Sequence, residues 1–361
     1  MGEKGLSIIV KPTHGCNLAC SYCYIDPEAE QGVMNESTLE NLINKSMSTH
    51  DSVDFIWHGG EPFIMPLTFY EKAVELQSQH PDKKVGNGFQ SNGTLVTDKI
   101  LDFCEENDFS IGFSLDGPQE INDKTRYFRN RRSSFQRTLD AIKKTQERKV
   151  GGGAIVVLNR LNISHLQEIY DFAQQEGINL KLNPLIKSGK ASDNYQDLGI
   201  GPEEYGNALV ELFDQWFHDN SSVKLDPFED LMGNLLTGRP WGCNYSTSCQ
   251  YSFISVGPQG DIYPCGRFDG VTDFKLGNIN ENDLQNVLLS AKRVSLQERA
   301  SRIEQCHPCE YVKICNSGCM HNAYMKDGNI DSRDYYCASY KILFAHINQK
   351  MKVELSKAEV K

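Results

Sequence analysis

At 361 residues, with 39% hydrophobic and 24% charged side chains, the chain holds enough for two modules or one large barrel with an appendage. Its 37 Lys and Arg against 48 Asp and Glu leave a net charge of −11, which excludes the broad basic surface of a nucleic-acid-binding protein. No apolar run approaches the roughly 18 residues of a membrane span, and no signal-peptide pattern is present. A cytoplasmic protein is expected, with neither membrane nor nucleic acid among its partners.

A first strand is expected at Leu6–Lys11, running into Cys16-Asn-Leu-Ala-Cys20-Ser-Tyr-Cys23. In a reducing compartment clustered cysteines point to metal or redox chemistry rather than disulfides. Three thiolates without a fourth suit a four-iron cluster that keeps one iron open. The alternative is a zinc site with His14 as fourth ligand. Tyr24, directly after the triplet, is a candidate catalytic residue.

Beyond the triplet, helical and strand patterns alternate. Helices are expected at Glu36–Thr49, Leu67–Gln79, Asp98–Glu106, Ser133–Arg148 and Ile163–Gln175. Strands are expected at Val53–His58, Gly88–Ser91, Ser110–Leu115, Gly153–Leu158 and Asn179–Pro184. The alternation argues for parallel βα units, with too few strands to close an eight-stranded barrel. Cys104, alone on its helix, reads as a buried small hydrophobe. Gly151-Gly152-Gly153 reads as a tight turn, and Lys187 to Gly201 as a lid or a surface loop.

Most strands end in a distinctive turn. His58 and Gly59-Gly60-Glu61-Pro62 follow the second, Ser91-Asn92-Gly93-Thr94 the third, and Ser114-Leu115-Asp116-Gly117-Pro118 the fourth. Glycines there let the backbone approach a ligand closely. Arg126 stands in a basic run with Arg129, Arg131, Arg132 and Arg137. Such a run is commonly a solvated face, though a guanidinium also grips a carboxylate bidentately.

The last third carries Cys243, Cys249, Cys265, Cys306, Cys309, Cys315, Cys319 and Cys337. Eight thiolates are enough for two fully ligated four-iron clusters, or for two zinc sites. Phe253–Val256, a turn at Gly257–Gly260 and Ile262–Cys265 read as a hairpin presenting Cys265. Glu281–Ala300 reads as a helix, and the tail from Lys350 to Lys361 as a fraying helix end.

The triplet, with Tyr22 before its third cysteine, resembles the radical S-adenosylmethionine (SAM) enzymes. The resemblance implies an α/β fold: a partial (β/α)6 barrel, here 1–235, followed by a SPASM domain with two auxiliary clusters, here 236–361. It implies SAM and three [4Fe-4S] clusters, with Cys16, Cys20 and Cys23 holding the cluster that binds SAM. Gly59, Gly60, Glu61, Pro62, Ser91, Asn92, Ser114, Asp116, Arg126 and Tyr22 would surround SAM. Cys243, Cys249, Cys265 and Cys319 would hold the nearer auxiliary cluster, and Cys306, Cys309, Cys315 and Cys337 the farther one. An external one-electron donor such as a flavodoxin or ferredoxin, and a peptide or protein substrate, would be the partners.

The family's anaerobic sulfatase maturases, which convert Cys or Ser to formylglycine, are similar in length and layout. They carry Asp where this chain has Gly266 and Gln where it has His58. His58 is thus open as a replacement base, a substrate contact or a satisfied core histidine, with Asp261 and Asp269 the nearest other carboxylates. The absent carboxylate leads us to expect oxidative cross-linking of a ribosomally made peptide, with formylglycine formation as the alternative. A non-catalytic iron–sulfur electron carrier is the alternative of another class. With a first strand near Leu6, no room is expected for an N-terminal leader-binding domain.

Overall fold

A computed structural model describes residues 5–25, 32–219, 221–247 and 249–359. Strands β1 (Leu6–Val10), β2 (Ser52–Trp57), β3 (Lys84–Ser91), β4 (Phe109–Ser114), β5 (Gly151–Leu158), β6 (Leu180–Pro184) and β7 (Leu225–Asp226) pair in chain order, all parallel. Three more, β8 (Phe253–Val256), β9 (Asp261–Tyr263) and β10 (Gly277–Asn278), continue the sheet beyond β1. β8 is parallel to β1, whereas β9 and β10 fold back antiparallel as a meander. The two cysteine-bearing parts therefore share one ten-stranded sheet.

Alternation places the side chains. Along β1, Leu6, Ile8 and Val10 are fully buried, and along β2, Val53, Phe55 and Trp57 are. They pack under the helices Glu36–Thr49 and Leu67–Ser78, whose Leu39, Leu42, Ile43, Tyr70 and Ala73 complete that layer. Cys104 lies fully buried in the same core. No helix of the described residues is long and apolar enough to cross a membrane.

Several expectations need correction. Gly151–Gly153 is the beginning of β5 rather than a turn before it. Gly151 has φ +130°, and a Cβ there would lie 2.3 Å from the Ile111 carbonyl, where the pairing to β4 shifts register. Glu281–Ala300 splits into Leu284–Leu288, Ala291–Gln297 and Arg299–Arg302. Ser290 caps the second piece through the Arg293 N–H, and buried Arg293 donates to the carbonyls of Gln250 and Tyr251. A cap inside an amphipathic run starts a new helix axis.

Lys187 to Gly201 contains two single-turn helices, Lys190–Asp193 and Tyr195–Leu198, and packs on the first cysteine loop. Ser188 Oγ donates to the Tyr24 carbonyl at 3.3 Å and Asn194 Nδ2 to the Ser21 carbonyl at 2.8 Å. Two unanticipated helices, Pro202–Trp216 and Phe228–Thr237, join the barrel to the C-terminal part. The first lies along Cys337–Glu359, close enough that a Cβ on Gly206 would sit 2.8 Å from Ser339 Cα. Val360 and Lys361, the last two residues of the expected fraying end, lie outside the described residues.

Candidate active site

The cysteine loop leaves the C-terminal end of β1 and is sewn to the turns that leave β2, β3 and β4. Gly60 and Glu61 donate their N–H groups to the carbonyls of Thr13 and Gly15, each at 2.9 Å. A Cβ at Gly59 would approach the Thr13 carbonyl to 2.3 Å, and one at Gly60 the Gly15 carbonyl to 2.1 Å, so this contact needs both glycines. The Glu61 carboxylate is fully buried and accepts from Ser91 Oγ (2.8 Å), Asn92 N–H (2.7 Å) and Phe63 N–H (3.1 Å). Burial raises its pKa to about 7 against the pull of those donors. Glu61 is thus a pin between two turns. Asn92 Nδ2 in turn reaches Asn17 Oδ1 at 2.9 Å and Cys16 Sγ at 3.7 Å.

Tyr22 does the same on the other side. Its hydroxyl donates to Asp116 at 2.7 Å and accepts from Arg126 Nη1 at 2.8 Å. Asp116, fully buried, also accepts from Thr125 Oγ1 and from the Val157 N–H of β5, each at 3.0 Å. Arg126 is buried, whereas Arg129, Arg131, Arg132 and Arg137 are exposed, so burial separates it from its run. Ser114 Oγ accepts from Gln90 Nε2 at 3.2 Å. Local pattern gives Gln90 no signal, because only the pairing of β3 with β4 brings it beside Ser114.

The three thiols of the loop are partly exposed. Burial pushes Cys16 up to about 12, although the Leu18 N–H points at its sulfur from 3.4 Å. His14 does not complete the set as a zinc ligand would: its Nε2 is committed to Asp269 Oδ2 at 2.8 Å.

The eight later cysteines divide into two groups. Cys243, Cys249, Cys265 and Cys319 line a cavity of about 60 Å³ together with Arg267 and His321. Cys306, Cys309, Cys315 and Cys337 line a second cavity of about 30 Å³, walled by Tyr311, Tyr340 and Phe344. Among the described residues, no three His, Cys, Asp or Glu side chains converge as ligands of a single metal ion. The spread of thiols around a cavity suits a group of several atoms. His321, buried at the first cavity, has no hydrogen-bond partner at either ring nitrogen among the described residues.

Two residues that the cysteine pattern did not reveal organise these cavities. Arg267 points its backbone N–H at Cys265 Sγ (3.4 Å) and its Nη1 at Cys319 Sγ (3.7 Å). Asp334, buried between the groups, accepts from the N–H of Cys319 and of Tyr336, both at 2.7 Å. An Arg two residues past a hairpin cysteine was the available signal for the first; Asp334 had none.

Between the cysteine loop and Cys265 lies a compact polar cluster. Lys11 Nζ donates to the Gly266 carbonyl at 2.8 Å and pairs with Asp269 at 2.9 Å. Burial alone would raise Asp269, but the His14 hydrogen bond and the Lys11 charge overcome it and hold the carboxyl near 2. Lys11 Nζ also lies 4.8 Å from the centre of the Tyr24 ring, and Tyr24 meets His58 edge-on at 6.1 Å. Burial, then the Lys11 charge, lowers His58 to about 4, so its ring is neutral at pH 7. Its Nδ1 is buried without a hydrogen-bond partner among the described residues. Asp261 faces elsewhere, paired with Lys275 at 2.6 Å.

The Radical SAM superfamily model matches residues 10–173, and that of an iron–sulfur cluster-binding (SPASM) domain residues 243–310. The cysteine-type anaerobic sulfatase-maturating enzyme of Clostridium perfringens (strain 13) is 30% identical over 94% of this chain and 96% of its own. The chain belongs to the anaerobic sulfatase-maturating type of radical SAM enzyme. The serine-type enzyme of Bacteroides thetaiotaomicron is 29% identical over 95% of this chain and 90% of its own. The solved structure of native anSMEcpe with bound AdoMet superimposes with a TM-score of 0.87 at 27% identity, covering 99% of this chain and 100% of that one. Streptococcus suis SuiB bound to S-adenosylmethionine shares the fold, with a TM-score of 0.69 at 17% identity over 93% of this chain and 77% of that one. The relatives of this radical SAM enzyme thus turn the reading away from the expected peptide cross-linker and toward what was its alternative.

Proposed function

We propose that this enzyme converts a Cys or Ser side chain of a sulfatase-type substrate to formylglycine. The observation that carries this reading is the end-to-end likeness to cysteine-type and serine-type maturases, over 94% and 95% of the chain. The polar cluster beside Gly266 supports it. A side chain at 266 would start 3.7 Å from Lys11 Cε, and Asp269 supplies from three residues further on a carboxylate that meets the same lysine.

In this reading Cys16, Cys20 and Cys23 hold the SAM-binding cluster, and the two cysteine quartets hold the auxiliary clusters, as the two cavities favour. When bound, SAM and the clusters supply a 5′-deoxyadenosyl radical and a path for electrons. The rest belongs to the chain. The turns at Gly59–Pro62, Ser91–Asn92 and Ser114 present backbone and hydroxyl groups to the cofactor. Arg126, which spends one N–H on Tyr22, keeps the others for its carboxylate. Neutral His58 takes the substrate proton at Nδ1, with Tyr24 fixing its ring edge-on. A flavodoxin or ferredoxin delivers the reducing electron.

The test is anaerobic incubation of the reconstituted enzyme, SAM and reductant with sulfatase-type peptides bearing Cys or Ser. A hydrazide-trapped aldehyde at that residue is the expected product. SAM cleavage with both peptides unchanged would overturn the substrate assignment.

A further inference from the structure

The exposed arginines that remain after Arg126 is accounted for form a surface of their own. From Lys124 to Leu139 the sequence contains no Asp or Glu, in a chain whose net charge is −11. Residues 127–133 fold as a short hairpin, and Arg137 stands in the first turn of the helix Phe135–Glu147 that follows it. Tyr127 bridges Ser133, the Phe128 N–H donates to the Arg132 carbonyl at 2.9 Å, and Arg131 takes a positive φ of 63° at the tip. Arg131 lies 4.2 Å over the Tyr127 ring and Arg137 5.5 Å over the Phe128 ring, so each guanidinium is held against an aromatic ring of the hairpin.

This hairpin is fastened directly to the first cysteine loop. Leu18 bridges Phe128, and the N–H groups of Ala19 and Ser21 donate to the carbonyls of Tyr127 and Thr125, each at 2.9 Å. Arg129 donates from Nη2 (3.0 Å) and Nε (3.3 Å) to the Cys16 carbonyl while its side chain stays exposed. Nearby cations behave differently. Lys143, Lys144 and Arg148, further along the same helix and just past it, all pair with carboxylates. Among the described residues Arg129, Arg131, Arg132 and Arg137 pair with none.

We propose that this arginine hairpin is the docking surface for the enzyme's electron donor, a small acidic one-electron carrier protein of the flavodoxin or ferredoxin class. The proposal rests on the radical SAM reading above and names where its partner binds. Each cleavage of SAM consumes one electron: the carrier is oxidised by one, and the sulfonium carbon–sulfur bond is reductively broken. The carrier must therefore come close to Cys16, Cys20 and Cys23. Most of this chain repels an acidic protein at long range, and a local positive patch reverses that field where contact is needed.

The experiment compares wild type with Arg131→Glu/Arg132→Glu, whose side chains are exposed and touch none of the cysteines. Binding of a flavodoxin to each holoenzyme is measured by calorimetry at low salt. 5′-Deoxyadenosine formation is then driven by that flavodoxin or by dithionite. The double variant should bind the flavodoxin about tenfold more weakly and lose a similar factor in the flavodoxin-driven rate. Its dithionite-driven rate and its KM for the substrate peptide should stay within about twofold of wild type. Unchanged flavodoxin affinity would overturn the proposal, as would a raised peptide KM with flavodoxin affinity intact, which would make the hairpin a substrate contact. If the variant does not fold, salt titration of wild type decides. The flavodoxin-driven rate must fall steeply with ionic strength while the dithionite-driven rate holds, and a flat flavodoxin curve sinks the idea. The dithionite arm on wild type tests the enzymatic reading alone, and flavodoxin binding is measured independently of it.

Discussion

Lys11 and Asp269, 258 positions apart in the chain, form a buried ion pair at 2.9 Å that joins the end of β1 to the segment after Cys265. Each side chain is less than a tenth exposed, so neither charge has water to fall back on. Asp269→Asn should therefore destabilise the apoprotein by about 3 kcal/mol, because it strands the lysine. Urea unfolding of the two proteins measures this, and a loss below about 1 kcal/mol would place the pair in solvent.

The same pair has a pH signature. The folded carboxyl titrates near 2 against an ordinary value of 3.8, so the unfolded chain binds the proton more readily. Its contribution is complete above about pH 4 and is lost as pH falls toward 2, for roughly 2 kcal/mol in all. The difference in unfolding free energy between wild type and Asp269→Asn should shrink by that amount across the window.

Glu61 works in the opposite sense. Its folded pKa near 7 lies above the ordinary 4.5, so the folded chain holds the proton longer. The apoprotein should lose about 3 kcal/mol relative to Glu61→Gln as pH rises from about 4.5 to 7. Paired denaturation curves at the two ends of that range would reveal it.

Arg267 places a fixed positive charge and a donor against Cys319 Sγ, and a backbone donor against Cys265 Sγ. Donors to sulfur raise the potential of an iron–sulfur cluster. Arg267→Gln should make one auxiliary midpoint more negative by on the order of 50 mV, about tenfold in a one-electron equilibrium. A redox titration followed by electron paramagnetic resonance reports it. An unmoved midpoint would reduce Arg267 to a packing role.

His58→Phe removes both ring nitrogens while keeping a ring of similar size against Tyr24. Peptide oxidation should fall about 100-fold while 5′-deoxyadenosine formation continues, so the ratio of the two products separates proton acceptance from cofactor binding. Equal losses in both would place His58 in the cofactor site instead.

Much of this site could be read from residue order because it is built from turns. The cysteine triplet and Gly59-Gly60-Glu61-Pro62 follow a strand closely and Ser114 ends one, and local pattern locates strands well. Glu61 and Asp116 stand in the expected turns, but their part in fastening neighbouring elements together has no local signal, because the groups they accept from lie elsewhere in the chain. The Gly266 position points away from the sulfatase-maturating type that the relatives favour. The carboxylate that meets Lys11 comes from Asp269, and only the folded hairpin shows that a residue three places on reaches the same lysine. Asp334 was invisible for the same reason, since its acceptors matter only once the two thiol groups are side by side.

The pairing of β8 against β1 has a consequence for biosynthesis. During synthesis β1 acquires its neighbour on one side when residues 52–57 appear, but its other edge waits for residues 253–256. Through most of translation the nascent barrel carries an open parallel edge, the kind of template on which chains aggregate. Slow synthesis or truncation before residue 253 should therefore cost soluble protein well before it costs a cysteine ligand of the first loop.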